Sequence, residues 1–310
     1  MPEYRFLVSA RSEITSHAAL ETVTLELGGA RWQLRSFVDG LRIDIDGRTA
    51  EFISRCELEP DVAIDVFWTE SLNGSGTPLF DAGLWRAYEA GDGVQFDFFT
   101  HLLGPEAYKR AIFDKDFSAG QILLNRAVLG KLDSYYPFEY PLDELASMHR
   151  LGRGRGVELH SCGLATADRR GYLFVGHSGA GKSTLGKQWV NHRGATILSD
   201  DRVVVTGGDD GFRIHGTPWH GEAGLARNAS AELRAIFLIR HGQRNQTFSL
   251  APSKSAAELL TRSFVPWYCA EALDFTLSFL DQLSGEVPVY VFDCLPDVSA
   301  VEYLERTHAI

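Results

Sequence analysis

The chain has 310 residues, of which 45% are hydrophobic and 23% charged, and its formal net charge is −11 at pH 7. That composition excludes a disordered chain, a collagen-like chain and a pure coiled coil, and the length points to two domains. The negative charge argues against a protein that coats DNA or RNA, so no nucleic-acid partner is expected.

Four cysteines, Cys56, Cys162, Cys269 and Cys294, form no C-x-x-C pair and no zinc-ligand spacing, and read as reduced thiols of a cytoplasmic protein. The N-terminal MPEYRFLVSARSE has no basic stretch followed by a long apolar one, so no secretory leader is expected. The longest apolar stretch, around Phe264 to Leu280, is broken by Glu271 and Asp274 and predicts no membrane span.

Along the first 145 residues, short alternating patterns predict strands at Ala30–Val38 and Gly40–Ile45. Pro105 at a first helical position predicts a short helix to Phe113, giving a small α+β module over residues 1–150. The aromatics Tyr135, Tyr136 and Phe138 are expected to pack between domains. A helix is predicted at Leu142–Leu151, then a turn at GRGRG, 152–156. Residues 151–310 form the second predicted domain. It should hold strands at Val157–Ala165, Gly171–Val175, Ala195–Leu198, Leu233–Arg240 and Val287–Asp293, and a hairpin of Arg202–Thr206 with Gly211–His215. Helices are predicted at Lys182–His192, at Ser253–Phe264 with Ser253 as N-cap, over Trp267–Leu283, and at Pro296–Arg306. The fold class is therefore α/β, a mixed sheet with flanking helices behind a smaller α+β domain.

Gly176-His177-Ser178-Gly179-Ala180-Gly181-Lys182-Ser183, followed by Thr184, fits G-x-x-x-x-G-K-[ST] between an apolar strand and a helix. Glycines let such a loop aim its N–H groups at phosphate oxygens, and the helix adds its positive end. Lys182 would reach the β/γ-phosphates of ATP and Ser183 would place a hydroxyl on Mg²⁺. Asp200 and Asp201 close a short apolar strand only 18 positions after Lys182. At the end of a parallel strand beside the loop strand, they would hold Mg²⁺ or take a proton from an attacking hydroxyl. Adjacent residues of a strand face opposite ways, so the two should have unequal roles. Transporter ATPases share this loop wording, but they carry a signature segment between loop and acidic strand, and QLSGE at 282–286 comes too late.

Three segments, ELHSCGLA at 158–165, GHSGAGKST at 176–184 and ATILSDDRVVV at 195–205, together resemble the HPr kinase/phosphorylase-like family over about residues 156–300. The likeness is to its C-terminal catalytic domain and to the broad group of HPr-kinase-related serine kinases. It implies a P-loop fold related to phosphoenolpyruvate carboxykinases, and an ATP- and Mg²⁺-dependent kinase acting on Ser of a protein or peptide. Some members of the group phosphorylate precursor peptides. The resemblance also implies an active-site role for His160, a homo-oligomer, and a base among Asp200 and its neighbour Asp201; Asp200 is the candidate base and Asp201 the candidate metal ligand, with the choice between them left open by the sequence.

The chain departs from the regulatory enzymes. Ser183-Thr184 stands where they carry Ser-Glu, and their E-[IV]-R-G-L-G stretch is missing. HGTPWHGE at 215–222 sits roughly there, making Glu222 the candidate second metal ligand and Trp219 and His220 candidate acceptor contacts. Trp267, Tyr268 and Cys269 read as core. Cys162 and His160, two apart on one strand, lack a third orienting group for nucleophilic catalysis. The alternative to a kinase is a nucleotide-binding accessory or switch protein that hydrolyses slowly.

Overall fold

The computed structural model describes residues 18–72, 74, 76–219, 221, 224–308 and 310; the N-terminal segment read above for a leader, together with His220 and Glu222, lies outside the described residues. The chain divides into two compact units, one containing Ala30–Ala146 and the other Ser147–Ile310 with Leu27–Gly29. Among the described residues no helix is long and apolar enough to cross a membrane.

The first unit is built on β1 (Glu21–Leu27), β2 (Ala30–Ser36), β3 (Arg42–Ile43), β4 (Val62–Thr69), β5 (Phe80–Asp81), β6 (Trp85–Ala90), β7 (Gly93–Thr100), β8 (Gly104–Phe113), β9 (Ala119–Asn125) and β10 (Ser134–Tyr135). Eight of them form one sheet in the order β1-β2-β4-β9-β8-β7-β6-β5, parallel across β2, β4 and β9 and antiparallel from β9 to β5. β3 and β10 form a separate two-stranded pair. Among the described residues, a 3₁₀ turn at Thr49–Phe52 and the short helix α1 (Arg126–Leu129) interrupt the strands.

The expected α+β module is thus almost entirely β. The predicted helix at Pro105–Phe113 is strand β8, because Ala107, Lys109, Ala111 and Phe113 are buried at a two-residue period between β7 and β9. Pro105 is tolerated because pairing with β9 starts only at Lys109. The predicted strand Gly40–Ile45 shrinks to Arg42–Ile43. Phe138 packs within this unit, its ring 5.2 Å from that of Trp32, and Tyr135 bonds to Glu139 in the same unit.

The helix α2 (Leu142–Leu151) leads into the second unit, which contains β11 (Gly156–Ala165), β12 (Arg170–Val175), α3 (Lys182–Arg193), β13 (Thr196–Ser199), β14 (Arg202–Gly208), β15 (Gly211–His215), β16 (Ser230–His241), β17 (Gln246–Ser249), α4 (Pro252–Leu260), β18 (Ser263–Phe264), α5 (Ala270–Glu286), β19 (Val289–Cys294) and α6 (Ser299–His308). The nine-stranded mixed sheet runs β12-β11-β14-β15-β16-β19-β17, with β13 and β18 also paired to β11. β12 pairs with β16 as well, so five of the strands return on themselves. One apolar layer packs strand residues such as Val203, Ile236 and Leu238 against Leu259 of α4 and Phe279, Leu280 and Leu283 of α5. The other packs Phe174, Phe237 and Phe292 against Leu185 and Trp189 of α3 and Val301 and Leu304 of α6. Helices thus flank a mixed sheet.

Three local expectations change. Helix α4 starts at Pro252 with Ala251 as N-cap, and the Ser255 hydroxyl bonds back to the Ala251 carbonyl at 3.1 Å. It stops at Leu260, because Phe264 pairs with Glu158 of β11. Helix α6 begins at Ser299, whose amide and hydroxyl both donate to Asp297 Oδ1, rather than at Pro296. Trp267 precedes helix α5 and is 58% exposed, so it is not core.

Candidate functional site

β12 ends at Val175, the loop runs from Gly176 to Gly181, and α3 begins at Lys182. Gly179 and Gly181 sit at φ of +79° and +95°, a backbone shape that favours glycine. His177, Ser178, Gly179 and Thr184 are exposed, while Ala180, Gly181 and Ser183 are half-buried. No side chain caps the first turn of α3. Lys182 is buried and folds back on its own loop, donating to the carbonyls of Gly176 at 2.9 Å and His177 at 3.2 Å. Its desolvation lowers the ammonium pKa, and the Asp201 charge opposes that. At the end of β16, His241 Nε2 lies 3.0 Å from the Gly179 carbonyl. A carbonyl only accepts, so this nitrogen carries the proton.

The acidic pair faces two ways. Asp200 is buried, 2% exposed, and accepts from the Gly221 amide at 2.9 Å. Asp201 is half-buried; its Oδ1 lies 3.0 Å from His160 Nε2, and its other oxygen accepts from Arg202. The hydrogen bond from His160 holds its carboxyl below the usual range, helped by the Arg202 and Lys182 charges.

His160 Nε2 is also 3.1 Å from Lys182 Nζ. One ring nitrogen therefore meets a donor and an acceptor, and it serves one of them at a time. Strand register makes this meeting possible, for His160 pairs with Arg202, and the Ser161 amide donates to the Asp201 carbonyl at 2.9 Å.

The acidic strand is not the immediate neighbour of the loop strand. Both β12 and β13 pair antiparallel with β11, from opposite sides of Gly163, so they run in the same direction with β11 between them. β11 fills the expected parallel place, and it is this strand that carries His160.

Glu222 and His220 are outside the described residues, and Trp219 does not line an open site. It is 5% exposed and packs with Leu151 and Val204. Cys162 is fully buried, and burial pushes its thiol up to about 12, which makes it inert. Among the described residues no three His, Cys, Asp or Glu side chains converge to hold a metal ion.

Sequence reasoning missed three supporting groups. Glu158, fully buried, lies 3.6 Å from Arg202 Nε, and Arg202 stacks over the Phe264 ring at 4.7 Å. Arg262 reaches the loop from α4's end, its guanidinium 3.2 Å from His177 Nε2. His241 is the third. Only Glu158 left a signal, the one acidic residue of its strand.

No family model and no curated protein matches the chain. Among solved structures, the Hpr(Ser) kinase/phosphatase from Coxiella burnetii is similar at 15% identity with a TM-score of 0.29, covering 49% of this chain and 95% of that one.

Proposed function

We propose that the second unit binds a nucleoside triphosphate, ATP, on the loop 176–183 and transfers its γ-phosphate to a hydroxyl, that of a serine in a protein or peptide. The observation that carries this reading is the meeting of Lys182, His160 and Asp201 at the loop, with Nε2 of His160 within 3.1 Å of both partners' polar atoms. The left-handed glycines and the uncapped start of α3 suit a phosphate cradle.

Lys182 leaves its loop carbonyls for the phosphate oxygens and neutralises them. Asp200 takes the acceptor's proton as its oxygen bonds to the γ-phosphorus and the bond to the β-phosphate oxygen breaks. Once Lys182 has moved, His160 is left to Asp201 alone, which fixes its ring.

The donor set suits Mg²⁺, which takes one or two carboxylates and completes its shell with water and phosphate oxygens. Ser183 and Asp201, with Glu222 as the further candidate, would hold it. When bound it supplies charge neutralisation to the transferring group.

The test follows labelled γ-phosphate to peptide and to water separately. Lys182→Ala should lose most ATP affinity by calorimetry. Asp200→Asn should keep that affinity and lose about 10²–10⁴-fold in transfer, the scale of a general base. Transfer to water alone, at a rate set by a partner protein, would instead support a nucleotide-dependent switch.

A further inference from the structure

A cavity of about 340 Å³ opens between β12, β16 and β19, lined by Arg170, Tyr172, Arg234, Ala235, Tyr290 and His308 among others. Tyr172 lies four residues before Gly176, so the cavity sits about 13 Å down the strand from the glycine loop, at the opposite end of the parallel strands.

The backbone is shaped for it. Gly171 pairs with Leu233 but Tyr172 pairs with Ala235, which leaves Arg234 as the extra residue of a β-bulge. Residues two apart on a regular strand share a face. Here Leu233 packs in the layer with α5 and Ala235 in the layer with α3 and α6, so the bulge turns the strand over at Arg234. Bulges re-aim side chains, and this one brings Arg234 to the same cavity as Arg170 of the adjacent strand.

Each guanidinium is steadied by a carboxylate two residues away. Arg170 Nε donates to Asp168 at 2.6 Å and Arg234 donates to Glu232 at 2.8 Å. Both arginine side chains keep solvent access, at 36% and 50%. Three of the other lining residues are aromatic. Tyr290 meets His308 edge-on with ring centroids 4.4 Å apart, and Tyr172, 3% exposed, packs into the core behind them. Burial lowers the His308 pKa, so this ring adds an apolar wall rather than a charge. Aromatic walls with a few convergent polar groups at one end are the usual form of a small-molecule site.

We propose that this cavity binds a small molecule carrying a flat ring and an oxyanion, the ring against Tyr290 and His308 and the oxyanion, a carboxylate or a phosphate, on Arg170 and Arg234. The proposal is independent of the chemistry at the glycine loop.

Calorimetry of the full chain with phenyl phosphate and with benzoate tests it, the two probes separating the two oxyanions. At least one should bind with a Kd below about 1 mM. Arg170→Gln and Arg234→Gln should each weaken it about tenfold or more, the scale of a charged hydrogen bond. Both residues are solvent-accessible, and unchanged far-ultraviolet circular dichroism checks that the variants fold. Lys182→Ala should leave the affinity unchanged. Binding of neither probe at about 10 mM overturns the proposal. So does binding that survives both arginine changes but is lost with Lys182→Ala, or inorganic phosphate binding as tightly as phenyl phosphate.

Discussion

At the scale of single residues, histidines differ by what surrounds them. His241 is exposed and holds the Gly179 carbonyl, so it braces the glycine loop from the neighbouring strand. His241→Ala should speed amide exchange at Gly179 to Lys182 and weaken ADP binding about three- to tenfold, the scale of one hydrogen bond. His241→Gln, which keeps a donor, should restore both. Unchanged exchange in the alanine variant would remove the bracing role. His149 and His215 are the opposite case. Burial, with a nearby arginine adding to it, pushes His149 down to about 3 and His215 to about 4, from 6.5. His149 Nε2 is hydrogen-bonded to the Tyr268 hydroxyl at 2.8 Å, and His215 Nε2 to the Thr206 hydroxyl at 2.8 Å. Between those depressed values and 6.5 the unfolded chain binds protons that the folded chain does not, so stability rises with pH through that window and then levels off. Each histidine can contribute a slope of up to about 1.4 kcal/mol per pH unit. Urea unfolding at several pH values should give this slope, and His149→Gln or His215→Gln should reduce it; a slope unaffected by both changes would refute the assignment.

At the scale of elements, β11 organises the site. It pairs with β12, β13, β14 and β18, supplies His160, and sets its register against Arg202. Helix α3 approaches it closely at Gly186, where a Cβ would stand 2.9 Å from Cys162 Sγ and 3.0 Å from Ile197 Cδ1. Alanine is the better helix former by about 1 kcal/mol. Overpacking should win, and Gly186→Ala should cost about 1–3 kcal/mol in urea unfolding. The loss should be smaller in a Cys162→Ala background, which removes the closest atom. Equal losses in the two backgrounds would place the strain elsewhere. The strand–loop–helix at 170–193 was readable because glycines, an apolar run and a helix-forming run act over a few neighbours. β8 was not readable as a strand, since Pro105 and the short apolar spacing suit a helix start, and only pairing with β7 and β9 overrides them.

At the scale of the whole molecule, the glycine loop, His160, Asp200 and Asp201 all belong to the unit that contains Ser147–Ile310. A chain starting at Ala146 should therefore bind ADP within about threefold of the full protein, as expected when the residues that form a site lie in one unit. A folded fragment that fails to bind ADP would show that the loop depends on residues before Ala146, whether those of the first unit or Leu27–Gly29 of the second. By itself the sequence determined the loop and its lysine, the helix after it, the hairpin around GGDD at 207–210, whose turn the structure tightens to Asp209-Asp210, and the apolar strands, because glycine conformations, side-chain period and turn chemistry are set by near neighbours. Tertiary structure decided the rest. It placed β11 between the loop strand and the acidic strand, turned Asp200 to Gly221 and Asp201 to His160, and bulged β16 at Arg234. Those outcomes depend on registers between residues 31 to 63 positions apart, where one residue of slip reverses every side chain, and no local pattern encodes that choice.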